Sequence, residues 1–136
     1  MLHPLARALL AAELPVLARH GISMWGYVVL NALDGGPART QAALAQAIGA
    51  DKTRIIAILD ELQRAGLITR EPDPADRRVR LLAITAAGRE VRAATQSAIQ
   101  VNEDRVLGRL PPADRQAFLR AVAMLSALPP EDISGH

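Results

Sequence analysis

The feature that most constrains the fold is a change of hydrophobic pattern after Gly66. Before this glycine, apolar residues recur at helical spacing; after it, residues 67–71 and 79–85 show the alternation of two short strands. Two strands alone cannot bury a stable core, so this hairpin must pack against the helices beside it. The predicted order is four helices, the hairpin and two further helices.

Residues that commonly begin or end helices mark the boundaries. The expected N-caps of the second to fifth helices are, in chain order, Ser23, Thr40, Asp51 and Thr85. Gly49 and Gly66 are the expected stops of the third and fourth helices. The pattern also predicts a bend or break of the first helix near Pro15 and a turn over residues 34–37.

Residues 41–60 carry the strongest local signal. Ala45 is small where two helices would cross, Gly49 lies at the turn, and Ile55 begins the apolar stripe of the next helix. This spacing lets two helices cross closely through a tight turn, as in a helix-turn-helix. An ordinary pair of packed helices fits the same stretch equally well, and the residues that follow decide between the two.

A helix-turn-helix presents the polar face of its second helix to the DNA major groove. The candidates on that face are Lys52, Thr53, Arg54, Ile56 and Ala57. The two basic residues can donate to guanine, and the two apolar ones can touch a thymine methyl group. Thr40 and Gln41 begin the preceding helix, whose backbone N–H groups can hold a phosphate.

The hairpin follows directly and carries basic residues, which makes the unit a winged helix. Arg77, Arg78 and Arg80 can follow the DNA backbone or enter a narrow minor groove. Asp76 is close enough in sequence to pair with Arg78 and hold it extended. The alternative, a soluble turn without function, is disfavoured by the position of the loop.

The sequence here resembles the MarR family of bacterial regulators. The resemblance is carried by residues 59–62 (LDEL), 65–70 (AGLITR), 73–78 (DPADRR) and 82–88 (LAITAAG). It implies a recognition helix in the major groove, a wing in the minor groove, and first and last helices that interlace between two subunits. The Asp-x-Arg wing pattern of the family maps onto Asp76 and Arg78.

The sequence departs from the family pattern in two places. Leu81 stands where the family often has a further basic residue, and Ile56 and Ala57 replace polar or basic residues of many members. These departures shift the expected base specificity toward Lys52, Thr53 and Arg54, which carry the remaining polar groups of that face.

The expected fold class is mainly α with a small β-hairpin wing. Residues 23–85 are predicted to form the winged helix-turn-helix, residues 1–22 and 86–128 a helical dimerisation region, and residues 129–136 a disordered tail. Apolar stripes on the terminal helices exceed what the small winged lobe can cover, so a homodimer is expected. Two-fold symmetry then predicts a pseudo-palindromic operator with half-sites roughly 34–36 Å apart.

Composition excludes several classes of protein. The absence of cysteine excludes disulfides and thiol-based redox sensing. His3, His20 and His136 have no metal-ligand spacing and there is no glycine-rich phosphate loop, so neither an enzyme nor a cofactor is expected. No apolar run approaches the ~20 residues of a membrane span, and no signal peptide is recognisable. We therefore expect a bacterial cytoplasmic protein, nucleoid-associated when bound to DNA.

Many members of the MarR family bind small aromatic or phenolic effectors between the dimerisation region and the winged lobe. Arg19, His20, Trp25 and Tyr27 lie near the junction of the first two helices and are the candidate effector residues. The expected function is a homodimeric repressor that a small molecule releases from double-stranded DNA. The alternative is a winged-helix module that binds another protein without sequence-specific DNA binding.

Overall fold

The computed structural model describes residues 1–36 and 39–135, in two compact units, Met1–Ile99 and Gln100–His136. The helices are α1 (His3–Arg19), α2 (Met24–Leu33), α3 (Gln41–Ile48), α4 (Lys52–Arg64), α5 (Ala86–Leu107), α6 (Pro112–Ser126) and α7 (Pro130–Ser134). The strands are β1 (Arg39–Thr40), β2 (Ile68–Pro72) and β3 (Arg80–Ile84). The predicted fold class, mainly α with a small hairpin, is confirmed.

The core of the first unit is aliphatic and lies between α2, α3, α4 and the sheet. Val29, Leu30, Leu44, Leu59 and Leu82 are all completely buried in it. Helix α4 contributes one continuous apolar face, formed by Ile55, Ile58, Leu59 and Leu62. This spacing of three and four residues places the side chains on one side of a helix, so the other side of α4 is left to solvent.

Side-chain caps begin α2, α3 and α4 at the predicted residues. The hydrogen bonds run from Gly26 N to Ser23 Oγ (3.0 Å), Ala43 N to Thr40 Oγ1 (3.1 Å) and Arg54 N to Asp51 Oδ1 (2.7 Å). Each such cap stabilises a helix by about 1 kcal/mol. Gly49 closes α3 with a φ of 71°, a left-handed conformation that glycine adopts without a steric penalty.

Among the described residues, the sheet has three antiparallel strands in the order β1-β3-β2. The predicted hairpin pairs β2 with β3, from Ile68 opposite Ile84 to Pro72 opposite Arg80. Strand β1 was not predicted; its two residues, Arg39 and Thr40, pair with Leu82 and Leu81. A strand of two residues is too short to show an alternation of apolar and polar residues in the sequence. It can be recognised only from its pairing with the edge of β3.

Of the bend or break expected near Pro15, the break is absent, and the tail contains a short helix. Helix α1 runs through Pro15 without a break; a proline removes one helical hydrogen bond, and the buried Val16 and Leu17 that follow hold the last turn in place. The tail expected to be disordered contains α7, because Pro130 opens a helix whose first turn carries acidic residues.

The predicted turn after α2 is present at residues 34–36, while Pro37 lies outside the described residues, as does His136 at the end of the tail. In the second unit, α6 contains no buried residue. Within the part of the chain that is described, no helix combines the length and apolar character needed to cross a membrane.

Candidate nucleic-acid interface

The solvent-facing side of α4 holds the predicted DNA-contact residues. Lys52, Thr53, Arg54, Ile56 and Ala57 are all exposed. Ile56 is 47% exposed, whereas its neighbour Ile55 is 1% exposed, so the helix separates a core face from an outer face at adjacent residues. The outer face combines hydrogen-bond donors near the N-terminus of α4 with an apolar patch, Ile56 and Ala57, about one turn later.

Helices α3 and α4 form the predicted helix-turn-helix. The turn between them is closed by a hydrogen bond from Ala50 N to Ala45 O (3.0 Å). Ala45 itself is half-buried and packs against the core, as expected for a small residue where two helices cross. Because Asp51 caps α4 immediately after this turn, the direction of α4 is set by local contacts.

A contact that the sequence did not predict joins α2 to α4. The guanidinium carbon Cζ of Arg54 lies over the indole ring of Trp25, 5.4 Å from its centroid. This distance is within the range of a cation–π interaction. Trp25, predicted as an effector residue, therefore contacts a predicted DNA-contact residue.

A second unpredicted contact joins α4 to the sheet. Arg70 Nη2 on β2 donates to Asp60 Oδ1 on α4 at 2.6 Å. The Arg70 side chain is 20% exposed and the Asp60 side chain 49%. The pair joins α4 to β2, the strand that leads into the wing. This contact forms only when the helix and the strand have packed together, so no local sequence pattern indicates it.

The wing loop is shaped by its two aspartates. Asp76 Oδ1 accepts hydrogen bonds from Arg78 N (3.1 Å) and Arg78 Nε (3.3 Å), so the predicted pairing is present. Asp73 Oδ1 accepts from Ala75 N at 2.9 Å. Arg77 and Arg78 are exposed, and the Arg78 side chain is 91% accessible to solvent. Its guanidinium therefore extends from an ordered turn into the surrounding solvent.

The base of the wing lies beside the N-terminus of α3. Thr40, Gln41, Ala42, Val79 and Arg80 line one open surface cleft of about 410 Å³. The structure thus brings Arg80 together with the two residues predicted to hold a phosphate. A helix N-terminus and an arginine both favour an anion, so the cleft is suited to a phosphate of a nucleic-acid backbone.

The four predicted effector residues do not form a polar cluster. Trp25 and Tyr27 pack against the core of the first unit, His20 is half-buried and Arg19 is exposed at the end of α1. No hydrogen bond or ion pair among the described residues joins any two of the four.

Comparison with known proteins identifies the family to which this chain belongs. A sequence profile of the MarR family matches residues 20–79, from the end of α1 into the wing. Transcriptional regulator HosA of Escherichia coli O111:H- is 32% identical over 96 residues, which are 71% of this chain and 71% of HosA. The chain belongs to the MarR family of transcriptional regulators. The predicted resemblance is therefore confirmed, and the relatives are regulators rather than enzymes.

Solved structures of other MarR-like regulators share the fold. The transcriptional repressor CouR, bound to a 23-mer DNA duplex, is 28% identical and superposes with a TM-score of 0.78 over 92% of this chain and 89% of CouR. PcaV from Streptomyces coelicolor, in complex with its natural ligand, is 26% identical with a TM-score of 0.67 over 90% of this chain and 89% of PcaV.

Proposed function

We propose that this MarR family protein is a homodimeric repressor that binds a pseudo-palindromic operator and is released by a small-molecule effector. The observation that carries the proposal is the outer face of α4, where Lys52, Thr53 and Arg54 are exposed beside a wing with exposed arginines. Helix α4 enters the major groove and the wing follows the minor groove.

The outer face of α4 suits base recognition. Lys52 and Arg54 donate to guanine, and Thr53 donates to a base or a phosphate. Ile56 exposes 47% of its surface to water, and contact with a thymine methyl group would cover it. CouR, a related repressor with the same fold, is bound to DNA in its solved structure, which supports this assignment.

The remaining candidates hold the DNA backbone. Thr40 and Gln41 offer the backbone N–H groups of the α3 N-terminus, and Arg80 lines the same cleft. Arg77 and Arg78 extend from the wing, with Asp76 orienting Arg78. Arginine is favoured where the minor groove narrows, because the negative potential is greatest there.

Exposed apolar side chains support the homodimer. Val122 and Leu125 of α6, and Leu128 just after its end, belong to the predicted stripe and are 43%, 58% and 41% exposed. On α1, Leu10 and Leu14 are 54% and 55% exposed. Covering the exposed half of such a side chain stabilises by about 1 kcal/mol, so a second copy that covers several of them is favoured. We therefore propose residues 1–22 and 86–128 as the dimerisation region.

An effector is supported by a relative. PcaV has been solved in complex with its natural ligand, so the fold can hold a small molecule. For this chain we propose an aromatic or phenolic effector near the junction of α1 and α2, with Arg19, His20, Trp25 and Tyr27 as its candidate contacts. The ring faces of Trp25 and Tyr27 suit an aromatic ligand.

The test is selection of binding sites from random duplex DNA at moderate salt. We expect enrichment of a pseudo-palindrome with half-sites one helical turn apart, and sedimentation of the complex as two chains per duplex. The matched control is the Lys52→Ala, Arg54→Ala double variant, which removes donors from the outer face and leaves the apolar stripe intact. Enrichment of no site by the wild-type protein would contradict the proposal and favour the protein-binding alternative.

A further inference from the structure

We propose that Trp25 is a positioning residue for base recognition: its indole ring holds the guanidinium of Arg54 in the orientation that reads DNA. The inference rests on the proposed DNA-binding function and extends it to a residue outside the recognition helix. The structural basis is the 5.4 Å distance between Arg54 Cζ and the centroid of the Trp25 ring.

The indole ring of Trp25 is held in a fixed position by its surroundings. Trp25 lies in the first turn of α2, whose start is capped by the hydrogen bond from Gly26 N to Ser23 Oγ (3.0 Å). The indole is half-buried and packs against the core of the first unit. A tryptophan held in this way has few rotamers left, so it offers a ring face at a constant position.

Arg54, in contrast, needs an external constraint. It is exposed, and a free arginine side chain carries about 2 kcal/mol of rotamer entropy. Its backbone N–H is already engaged by the carboxylate of Asp51 at 2.7 Å. In residues 1–36 and 39–135, no ion pair involves its guanidinium. The ring of Trp25 is therefore the contact that restricts the side chain.

A ring face is suited to this task because it attracts the positive charge without using the hydrogen-bond donors. A carboxylate at the same place would occupy the two N–H groups that bind guanine O6 and N7. Arg54 on Trp25 is therefore held in place with its donors available. Lys52, in the same turn of α4, has no aromatic contact in the described structure and serves as the internal control.

The experiment is a double-mutant cycle on the operator selected by the wild-type protein. Trp25→Leu keeps an apolar side chain and removes the ring face, so we expect affinity to fall about two- to fivefold, the equivalent of a cation–π contact at an exposed site. In an Arg54→Ala background the same change should have no further effect. If Trp25→Leu weakens both backgrounds equally, Trp25 does not act through Arg54 and the inference is wrong.

Two controls separate positioning from packing. In a Lys52→Ala background, Trp25→Leu should still weaken binding two- to fivefold, because it acts on a different residue. Trp25→Phe retains a ring and should recover most of the affinity. Urea unfolding followed by circular dichroism checks that each variant is folded. Equal loss in the Phe and Leu variants would contradict a role for the ring face.

A measurement without DNA tests the contact itself. Trp25 is the single tryptophan of the chain, so its fluorescence reports only on this site. Arg54→Ala should change the emission intensity or wavelength, and Lys52→Ala should leave both unchanged. An unchanged spectrum in both variants would contradict the contact. If the wild-type protein selects no DNA site, the proposed function itself fails; if it selects one and the cycle shows no coupling, only the role of Trp25 fails.

Discussion

The N-terminal turn of α5 approaches the hairpin so closely that a β-carbon on Gly88 would lie 2.2 Å from the carbonyl oxygen of Leu67. The same β-carbon would lie 2.7 Å from Cγ1 of Ile84. Leu67 precedes β2 and Ile84 ends β3, so the glycine marks where the long helix leaves the sheet. A carbonyl oxygen of the backbone cannot move aside as a flexible side chain can.

Gly88→Ala should therefore destabilise the protein, although alanine is the better helix former. We expect a loss of about 1–3 kcal/mol in the free energy of unfolding, the usual cost of overpacking. Urea denaturation measures it. The control is Gly36→Ala, since a β-carbon there has no neighbour within 4 Å among the described residues and the φ of Gly36 is not positive. If the Gly88→Ala protein is as stable as wild type, the hairpin must move to make room for the added methyl group.

Thr85 links the same hairpin to α5 through one hydroxyl group. Its Oγ1 accepts from Gly88 N at 3.0 Å and donates to Gly66 O at 2.7 Å. Thr85→Ala removes both hydrogen bonds and should cost about 1–2 kcal/mol, the range for loss of an N-cap. Thr85→Ser retains the hydroxyl and should recover most of the stability. Thermal unfolding of the two variants checks this, and an equal loss in both would contradict the capping role.

The caps were predictable because their chemistry is local. A serine, threonine or aspartate placed before an apolar helical pattern reaches an N–H three residues on, whatever the rest of the chain does. The outer face of α4 was predictable for a similar reason, since Ile55, Ile58 and Leu62 fix which side of the helix is buried. Both inferences depend only on spacing within one helix.

The contacts that organise the interface were not predictable in this way. Trp25 meets Arg54, and Asp60 meets Arg70, only after separate elements have packed. The two-residue strand β1 likewise exists because β3 offers it an edge. Such relationships depend on tertiary geometry, which periodicity within one element does not specify.

The wing arginine Arg78 should contribute to DNA binding mainly through charge. Arg78→Ala should weaken binding to the selected operator, and the slope of log affinity against log salt should fall by about one, as for the loss of one phosphate contact. Stability should change little, because the side chain is 91% exposed. Titration at several salt concentrations measures the slope. An unchanged slope would remove Arg78 from the interface.

Asp76 provides a sharper test of the same wing. If it acted only as a negative charge near DNA, Asp76→Ala would strengthen binding. Because its carboxylate accepts from both N and Nε of Arg78, we expect Asp76→Ala to weaken binding instead. Asp76→Asn retains an oxygen acceptor and should bind more tightly than the alanine variant. Fluorescence anisotropy of labelled operator DNA ranks the three proteins, and stronger binding by Asp76→Ala would contradict an orienting role.

The ion pair between Asp60 and Arg70 should matter for stability more than the pair in the wing. Arg70 is only 20% exposed and its Nε has no hydrogen-bond partner in the described part of the chain, so loss of the carboxylate leaves a largely buried guanidinium poorly compensated. We expect Asp60→Ala to cost about 1 kcal/mol, moderated by the 49% exposure of the carboxylate side chain.

A cycle with Arg70→Met separates the contribution of the pair from the cost of an unpartnered charge. The Asp60→Ala, Arg70→Met protein should be more stable than Asp60→Ala alone, because the second substitution removes the unpaired cation and keeps apolar contacts. Asp76→Ala is the matched control; its more exposed pair should contribute less than about 0.5 kcal/mol. Urea denaturation at low and high salt gives the free energy of unfolding of each variant. Additive losses in the cycle would mean that the 2.6 Å contact does not couple α4 to β2 in solution.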